Sequence, residues 1–113
     1  MSRYKLILRA FDYLVKDYKF IEYMSQKYGA YYYVAWTNGK KDIMVLYDDR
    51  INAQIESPVW IRIFNSDCFG TAYDDVTEFR NEFYTMYASP KERIYNAANW
   101  LRKSIEKGLI TIS

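Results

Sequence analysis

Residues 31–47 read YYYVAWTNGKKDIMVLY, and this stretch determines the central part of the predicted fold. Two runs of alternating large apolar side chains flank Asn38-Gly39, which is the strongest short signal for a β-hairpin. If the dipeptide forms a two-residue turn, Val34 pairs with Ile43 and Tyr32 with Val45. The stretch therefore predicts two antiparallel strands that share one buried face.

The same alternation continues after Tyr47, where two more turns are predicted. A three-residue turn at 48–50 would pair Tyr47 with Ile51, and a turn at 56–58 would pair Ile55 with Val59. We therefore expect a four-stranded antiparallel meander. One long bent strand over residues 51–63 also fits the pattern.

Helical patterns lie on both sides of the predicted sheet. Residues 3–18 have the apolar spacing of an amphipathic helix, and 20–28 are expected to form a shorter helix that stops at Gly29. A helix capped by Asp74 or Asp75 is predicted to continue to about residue 87. Ser89-Pro90-Lys91-Glu92 is a capping box for a final helix that ends at Gly108, after which Leu109 is expected to pack against the helix. The prediction is a single α+β domain over residues 1–113.

The predicted register divides the strand residues between two faces. The first face is almost uniformly apolar and is expected to meet the helices; it comprises Tyr32, Val34, Trp36, Ile43, Val45, Tyr47, Ile51, Ala53, Ile55, Val59, Ile61 and Ile63. The second face contains Ala35 and nine candidate partner-binding residues, which are Tyr31, Tyr33, Met44, Leu46, Asn52, Gln54, Trp60, Arg62 and Phe64.

The second face has the composition of an interface rather than of a solvated surface. Tyr, Trp, Met and Arg are enriched where proteins bind partners. An alternative is that helices from the two ends of the chain cover both faces, which would make Tyr31, Trp60 and Phe64 core residues.

Composition excludes several kinds of site. The chain has 13 tyrosines among 113 residues, one Cys and no His, so a Cys–His or Ser-His-Asp arrangement cannot be built. The pairs Asp48-Asp49 and Asp74-Asp75 fit turns and helix caps, and Cys68 has no imidazole base. We therefore expect no enzymatic activity, no catalytic residue, no metal and no cofactor.

Charge and hydropathy limit the classes of partner and the cellular location that we expect. The net charge of +2, from 16 basic and 14 acidic residues, lacks the basic footprint of a nucleic-acid binder, so nucleic acid is not an expected partner. No apolar run approaches the roughly 20 residues that cross a bilayer, and the amphipathic start of the chain differs from a secretory signal. With a single Cys, a cytoplasmic location is expected.

Three segments resemble parts of small bacterial toxin-immunity proteins: Phe11-Asp12-Tyr13-Leu14 with the exit Tyr18-Lys19-Phe20, residues 45–50, and residues 60–63. The resemblance covers about residues 4–64, and the position before the exit Phe, usually glycine in those proteins, is Lys19 here. It implies a noncatalytic protein that binds a cognate toxin and blocks it.

The first functional hypothesis is therefore a binding protein of immunity type that neutralises a protein partner by steric occlusion. The alternatives are a structural or regulatory homo-oligomer that self-associates through the second face, and a nucleic-acid accessory protein of phage or plasmid origin.

Overall fold

An antiparallel sheet with helices on one face forms the body of the protein. The structure is a computed structural model that describes residues 2–49, 59–66, 73–75 and 89–112. Helices α1, α2 and α3 span Arg3–Ala10, Tyr13–Lys16 and Pro90–Glu106, and strands β1 to β5 span Ile21–Tyr28, Tyr31–Thr37, Lys41–Asp48, Val59–Asn65 and Tyr73–Asp75.

The strands lie in chain order across the sheet, β1-β2-β3-β4-β5, and every neighbouring pair is antiparallel. This confirms the predicted α+β class, the antiparallel meander, an N-terminal helix and a final C-terminal helix. The helix predicted to continue to residue 87 lies outside the described residues. Its proposed caps, Asp74 and Asp75, belong to strand β5.

The prediction of a helix over residues 20–28 is wrong, because Ile21–Tyr28 form strand β1. Gly29 and Ala30 connect β1 to β2 as a tight turn, and Tyr28 pairs directly with Tyr31. Gly29 has φ of +59°, whereas φ of Ala30 is not positive. Glycine at the first central position with positive φ is the signature of a type II′ hairpin turn.

The predicted register of the second hairpin is wrong by two residues. Trp36, and not Val34, pairs with Ile43. The turn is centred on Gly39-Lys40 and not on Asn38-Gly39, because the Asn38 N–H donates to the Lys41 carbonyl oxygen at 3.1 Å. The Asn38 side chain supports this turn, since its Oδ1 accepts hydrogen bonds from the N–H groups of Lys40 and Lys41 at 2.9 and 2.7 Å. A shift of two leaves every side chain on its predicted face.

Strand β3 pairs with β4 on the side where the predicted meander had residues 51–55. Tyr47 lies opposite Val59, and Ile43 lies opposite Ile63. The predicted pairing of Tyr47 with Ile51 is therefore wrong. Residues 51–58, including Ile51, Ala53, Ile55 and the predicted turn at 56–58, lie outside the described residues, so the long bent strand stays untested.

The first sheet face forms the core with the helices, as predicted for all its described members. Val34, Trp36, Ile43, Val45, Tyr47, Val59, Ile61 and Ile63 are buried, and Tyr32 packs against them. The Phe11 and Trp36 ring centroids lie 5.6 Å apart, which joins the helical layer to the sheet. Burial of this apolar area is the main stabilising contribution to the fold.

The predicted helix over residues 3–18 is divided into α1 and α2 near Phe11, whose backbone leaves helical geometry. The break keeps Phe11 and Leu14 fully buried, whereas Val15, which follows the apolar spacing of residues 3–18, is 42% exposed. The Tyr13 hydroxyl donates a 2.7 Å hydrogen bond to the carbonyl oxygen of Ala98, which fixes α2 against α3.

Helix α3 begins and ends as predicted. The Ser89 hydroxyl oxygen accepts a hydrogen bond from the N–H of Glu92 at 3.2 Å. At the other end Gly108 has φ of +74°, and the N–H groups of Gly108 and Leu109 bond the carbonyl oxygens of Ile105 and Ser104 in a Schellman motif. The expected packing of Leu109 is wrong, because this side chain is 74% exposed.

In the described part of the chain, no helix has the length and apolar character needed to cross a membrane.

Lys19 provides a test of local backbone strain. It is exposed and has φ of +60°, the left-handed region that costs a non-glycine residue roughly 1–2 kcal/mol. We expect Lys19→Gly to raise the free energy of unfolding by about 0.5 kcal/mol, because relief of strain exceeds the added entropy of the unfolded chain. Urea unfolding at pH 7 measures the change.

Lys19→Ala is the matched control, because it removes the same side chain and keeps the strained backbone. An equal gain from Lys19→Ala would show that the lysine side chain, and not its φ, is the cause.

Candidate functional site

The register places the predicted partner-binding residues of the described strands on one face. Tyr33 lies opposite Leu46, which lies opposite Trp60. Tyr31, Met44, Arg62 and Phe64 belong to the same face by the same alternation. Asn52 and Gln54 lie outside the described residues.

Exposure differs among these second-face residues. Leu46 and Phe64 are buried and so are packed within the protein, as is Ala35. The other five, Tyr31, Tyr33, Met44, Trp60 and Arg62, are half-buried. Their assignment to partner binding stays a prediction.

Strand β1 adds residues that the sequence analysis missed. Opposite β2, Met24 pairs with Ala35, Gln26 with Tyr33 and Tyr28 with Tyr31, so all three join the second face. The missed signal is Gly29-Ala30 between two tyrosines, which suits a tight hairpin turn as well as a helix end. We call Met24, Gln26, Tyr28, Tyr31 and Tyr33 the hairpin strip.

The hairpin strip is aromatic and ordered by its own contacts. The Tyr28 and Tyr33 ring centroids are 5.6 Å apart at an interplanar angle of 77°, an edge-to-face pair. The Tyr28 hydroxyl donates a 2.6 Å hydrogen bond to Oε1 of Gln26. Tyr28 is nevertheless 60% exposed. The strip thus offers an exposed ring whose orientation is already restricted before any partner binds.

A buried carboxylate lies at the other end of the same face. Asp42 is 8% exposed, and both of its oxygens accept hydroxyl hydrogen bonds, from Tyr23 at 2.9 Å and from Ser66 at 2.7 Å. The Thr37 hydroxyl lies 3.3 Å from the Ser66 hydroxyl. Because Ser66 donates its proton to Asp42, Thr37 donates to Ser66. The network satisfies a charge that would be costly to bury alone.

Tyr23 occupies a β-bulge in β1. The register opposite β2 shifts between Glu22 and Met24, which leaves Tyr23 as the extra residue. From there its hydroxyl reaches Asp42 on β3, across the intervening strand. Burial, and secondly the hydrogen bond to Asp42, raises the pKa of Tyr23 to about 12.

The acidic residues considered for chemistry have structural contacts where they are described. Asp49 forms an ion pair with Arg3, with Oδ1 and Nε 3.2 Å apart, and its N–H bonds the carbonyl oxygen of Ala30. Among the described residues, no group of three or more Asp, Glu or Cys side chains is arranged to hold a metal ion.

Comparisons of the chain with protein-family models, with curated proteins and with solved structures give no match.

Tyr23→Phe tests the Asp42 network. The variant leaves Asp42 with one hydroxyl donor fewer, and we expect the free energy of unfolding at pH 7 to fall by about 1 kcal/mol. Chemical denaturation measures it, with Tyr28→Phe as the matched control on the same strand, since the Tyr28 hydrogen bond is exposed.

The difference in the free energy of unfolding between wild type and Tyr23→Phe should also depend on pH. Since the folded pKa of Tyr23 lies above the ordinary value of 10.0, the unfolded chain loses the Tyr23 proton first as pH rises. The stabilising contribution of Tyr23 is therefore complete below pH 10 and decreases as pH rises to about 12. If the difference in the free energy of unfolding stays constant from pH 10 to about 12, the raised pKa of Tyr23 in the folded protein is contradicted.

Proposed function

We propose that this chain is a small noncatalytic protein that binds a protein partner through the second sheet face, with the hairpin strip as the docking centre. The observation that supports it most is the edge-to-face pair of Tyr28 and Tyr33, in which a largely exposed ring is held in place by a half-buried one. Aromatic side chains of this kind supply binding energy at a low entropy cost because their rotamers are already restricted.

The chemistry of the face favours a protein partner over a nucleic acid. All the side chains of the hairpin strip are neutral: they are three tyrosines, Met24 and Gln26. Among the described second-face residues Arg62 is the one cation, and Asp42 and Asp48 share the face with it. A surface that binds phosphates needs several cations to replace released counterions, whereas a protein interface needs apolar and aromatic area with a few polar groups.

The biological form of the proposal is an immunity-type protein that blocks a cognate toxin by steric occlusion. It is supported by the resemblance of residues 4–64 to such proteins and by the left-handed φ of Lys19, which occupies their usual glycine position. Occlusion requires a rigid surface and no catalytic group. The hairpin strip, with Gln26 and Tyr28 exposed on a five-stranded sheet, is a surface of this kind.

The test uses the protein encoded by the reading frame next to that of this chain. If the proposal is right, that protein arrests growth when it is expressed alone, and co-expression of this chain restores growth. Tyr28→Ser should weaken the complex by about 30-fold or more, as expected for a central aromatic anchor, and the pair Tyr28→Ser with Tyr33→Ser should abolish protection. Isothermal titration calorimetry gives the affinities.

Leu109→Ser is the matched control, because Leu109 is an exposed apolar residue beyond the end of α3. It should protect as well as the wild type. Protection by the double tyrosine variant, or an adjacent product that neither binds nor inhibits growth, would refute the proposal; circular dichroism confirms that each variant is folded.

A further inference from the structure

Strand β1 forms one edge of the sheet and is unusually accessible. It lies at the end of the strand order, pairs with β2 on one side, and has eight residues of which all but Met24 are exposed. Its two ends are large apolar side chains, with Ile21 68% and Tyr28 60% exposed. A long edge strand of this kind is a template for pairing with another chain.

The bulge gives the charged residues of β1 a symmetric arrangement that is not visible in the sequence spacing. Counted by their partners on β2, Lys27 lies opposite Tyr32, Ser25 opposite Val34 and Glu22 opposite Trp36. Because Tyr23 is the extra residue, Glu22 and Lys27 lie at equal distances, two rungs, on either side of Ser25. A negative and a positive side chain thus flank a small polar centre on the same face of the strand.

We infer that two copies of this chain pair through β1, antiparallel, about a two-fold axis at Ser25. Ser25 then meets Ser25 of the second copy, and Lys27 meets Glu22 of the second copy twice. On the opposite face, Gln26 lies against Met24 and Tyr28 against Ile21, again twice. Every residue of β1 except the bulged Tyr23 has a complementary partner in this register.

The backbone supports the same register. In a two-residue hairpin the pair that flanks the turn, here Tyr28 and Tyr31, exchanges both of its backbone hydrogen bonds. Alternate residues therefore direct their N–H and C=O groups away from β2, which places those of Lys27 and Ser25 on the free edge, and after the bulge those of Glu22. The residues that would be hydrogen-bonded across the dimer are the ones whose backbone groups face outward.

A second copy suits this edge better than an unrelated segment. Charge complementarity occurs twice, and the two exposed apolar ends cover each other, without any requirement for a particular foreign sequence. The two five-stranded sheets become one continuous sheet with both hairpin strips on the same side of it. The dimer shares Met24, Gln26 and Tyr28 with the hairpin strip, but its register is set by Glu22, Ser25 and Lys27 on the other face of β1. Charge changes at Glu22 and Lys27 therefore test the dimer without altering the strip.

The area of one strand pair is below that of a standard stable interface. We therefore expect a dimer that dissociates on dilution, which sedimentation equilibrium on the full chain at micromolar to millimolar concentrations detects.

Charge reversal tests the register. Glu22→Lys places two like-charged pairs in the dimer, and so does Lys27→Glu; each variant alone should dimerise about tenfold more weakly than wild type. An equimolar mixture of the two variants has both pairs complementary and should recover wild-type association, as should the double variant. Lys27 also lies 5.3 Å from the Tyr32 ring centroid within its own chain, so recovery in the mixture shows that Lys27→Glu is still folded.

Two results would overturn the inference. One is a wild-type chain that remains monomeric at millimolar concentration. The other is a dimer that neither single reversal weakens or that the mixture does not restore, which would place self-association elsewhere on the protein.

Discussion

The buried carboxylate of Asp42 is the constraint on which the shape of the sheet depends. Its two hydroxyl partners come from Tyr23 in β1 and from Ser66, which directly follows β4, and Thr37 of β2 extends the network. A charge that is 8% exposed requires all of its partners in place, because an unsatisfied buried charge costs more than the hydrogen bonds gain. One side chain thus holds four strands at the same end of the sheet.

The network also explains why a poorly buried strand has a defined geometry. Strand β1 contributes almost nothing to the apolar core, since Met24 alone among its residues is half-buried. Its position therefore depends on the backbone ladder to β2 and on the contact between Tyr23 and Asp42. That contact requires Tyr23 to lie over the second face, and the bulge provides this. Because the bulge also sets the spacing of Glu22 and Lys27, the buried carboxylate indirectly determines the pattern of the exposed edge.

The core face could be predicted from the sequence, and the reason is the period of two. Moving a strand by two residues leaves its side chains on the same faces. Val34, Trp36 and Ile43 therefore lie on the predicted core face even though the predicted register of the hairpin is wrong. The pairing of β3 could not be predicted, because residues 51–55 and 59–63 have the same apolar alternation and both fit opposite it.

Strand β1 could not be predicted for a different physical reason. A strand exposed on both faces has no burial period to detect, and Gly29 supplies positive φ equally well to a helix end or to a type II′ turn. The half of the candidate site on β2, with Tyr31 and Tyr33, was therefore accessible to sequence analysis, whereas Met24, Gln26 and Tyr28 were not. The site residues that only the structure identifies, Met24, Gln26 and Tyr28, are not part of the buried core.

This separation between stability and surface gives the tyrosines distinct roles. Tyr47 is buried in the core. Tyr4 and Tyr32 pack against the core as an edge-to-face pair with ring centroids 5.0 Å apart. Tyr23 of the edge strand bonds Asp42, and Tyr28 with Tyr33 is the pair proposed to meet a partner. Since Tyr23 and Tyr28 lie on the same short strand, a change at the buried carboxylate would alter the bulge, and through it both the edge and the strip. Natural substitutions at Asp42 would therefore be expected to affect association as well as folding, whereas substitutions at Tyr28 would affect association alone.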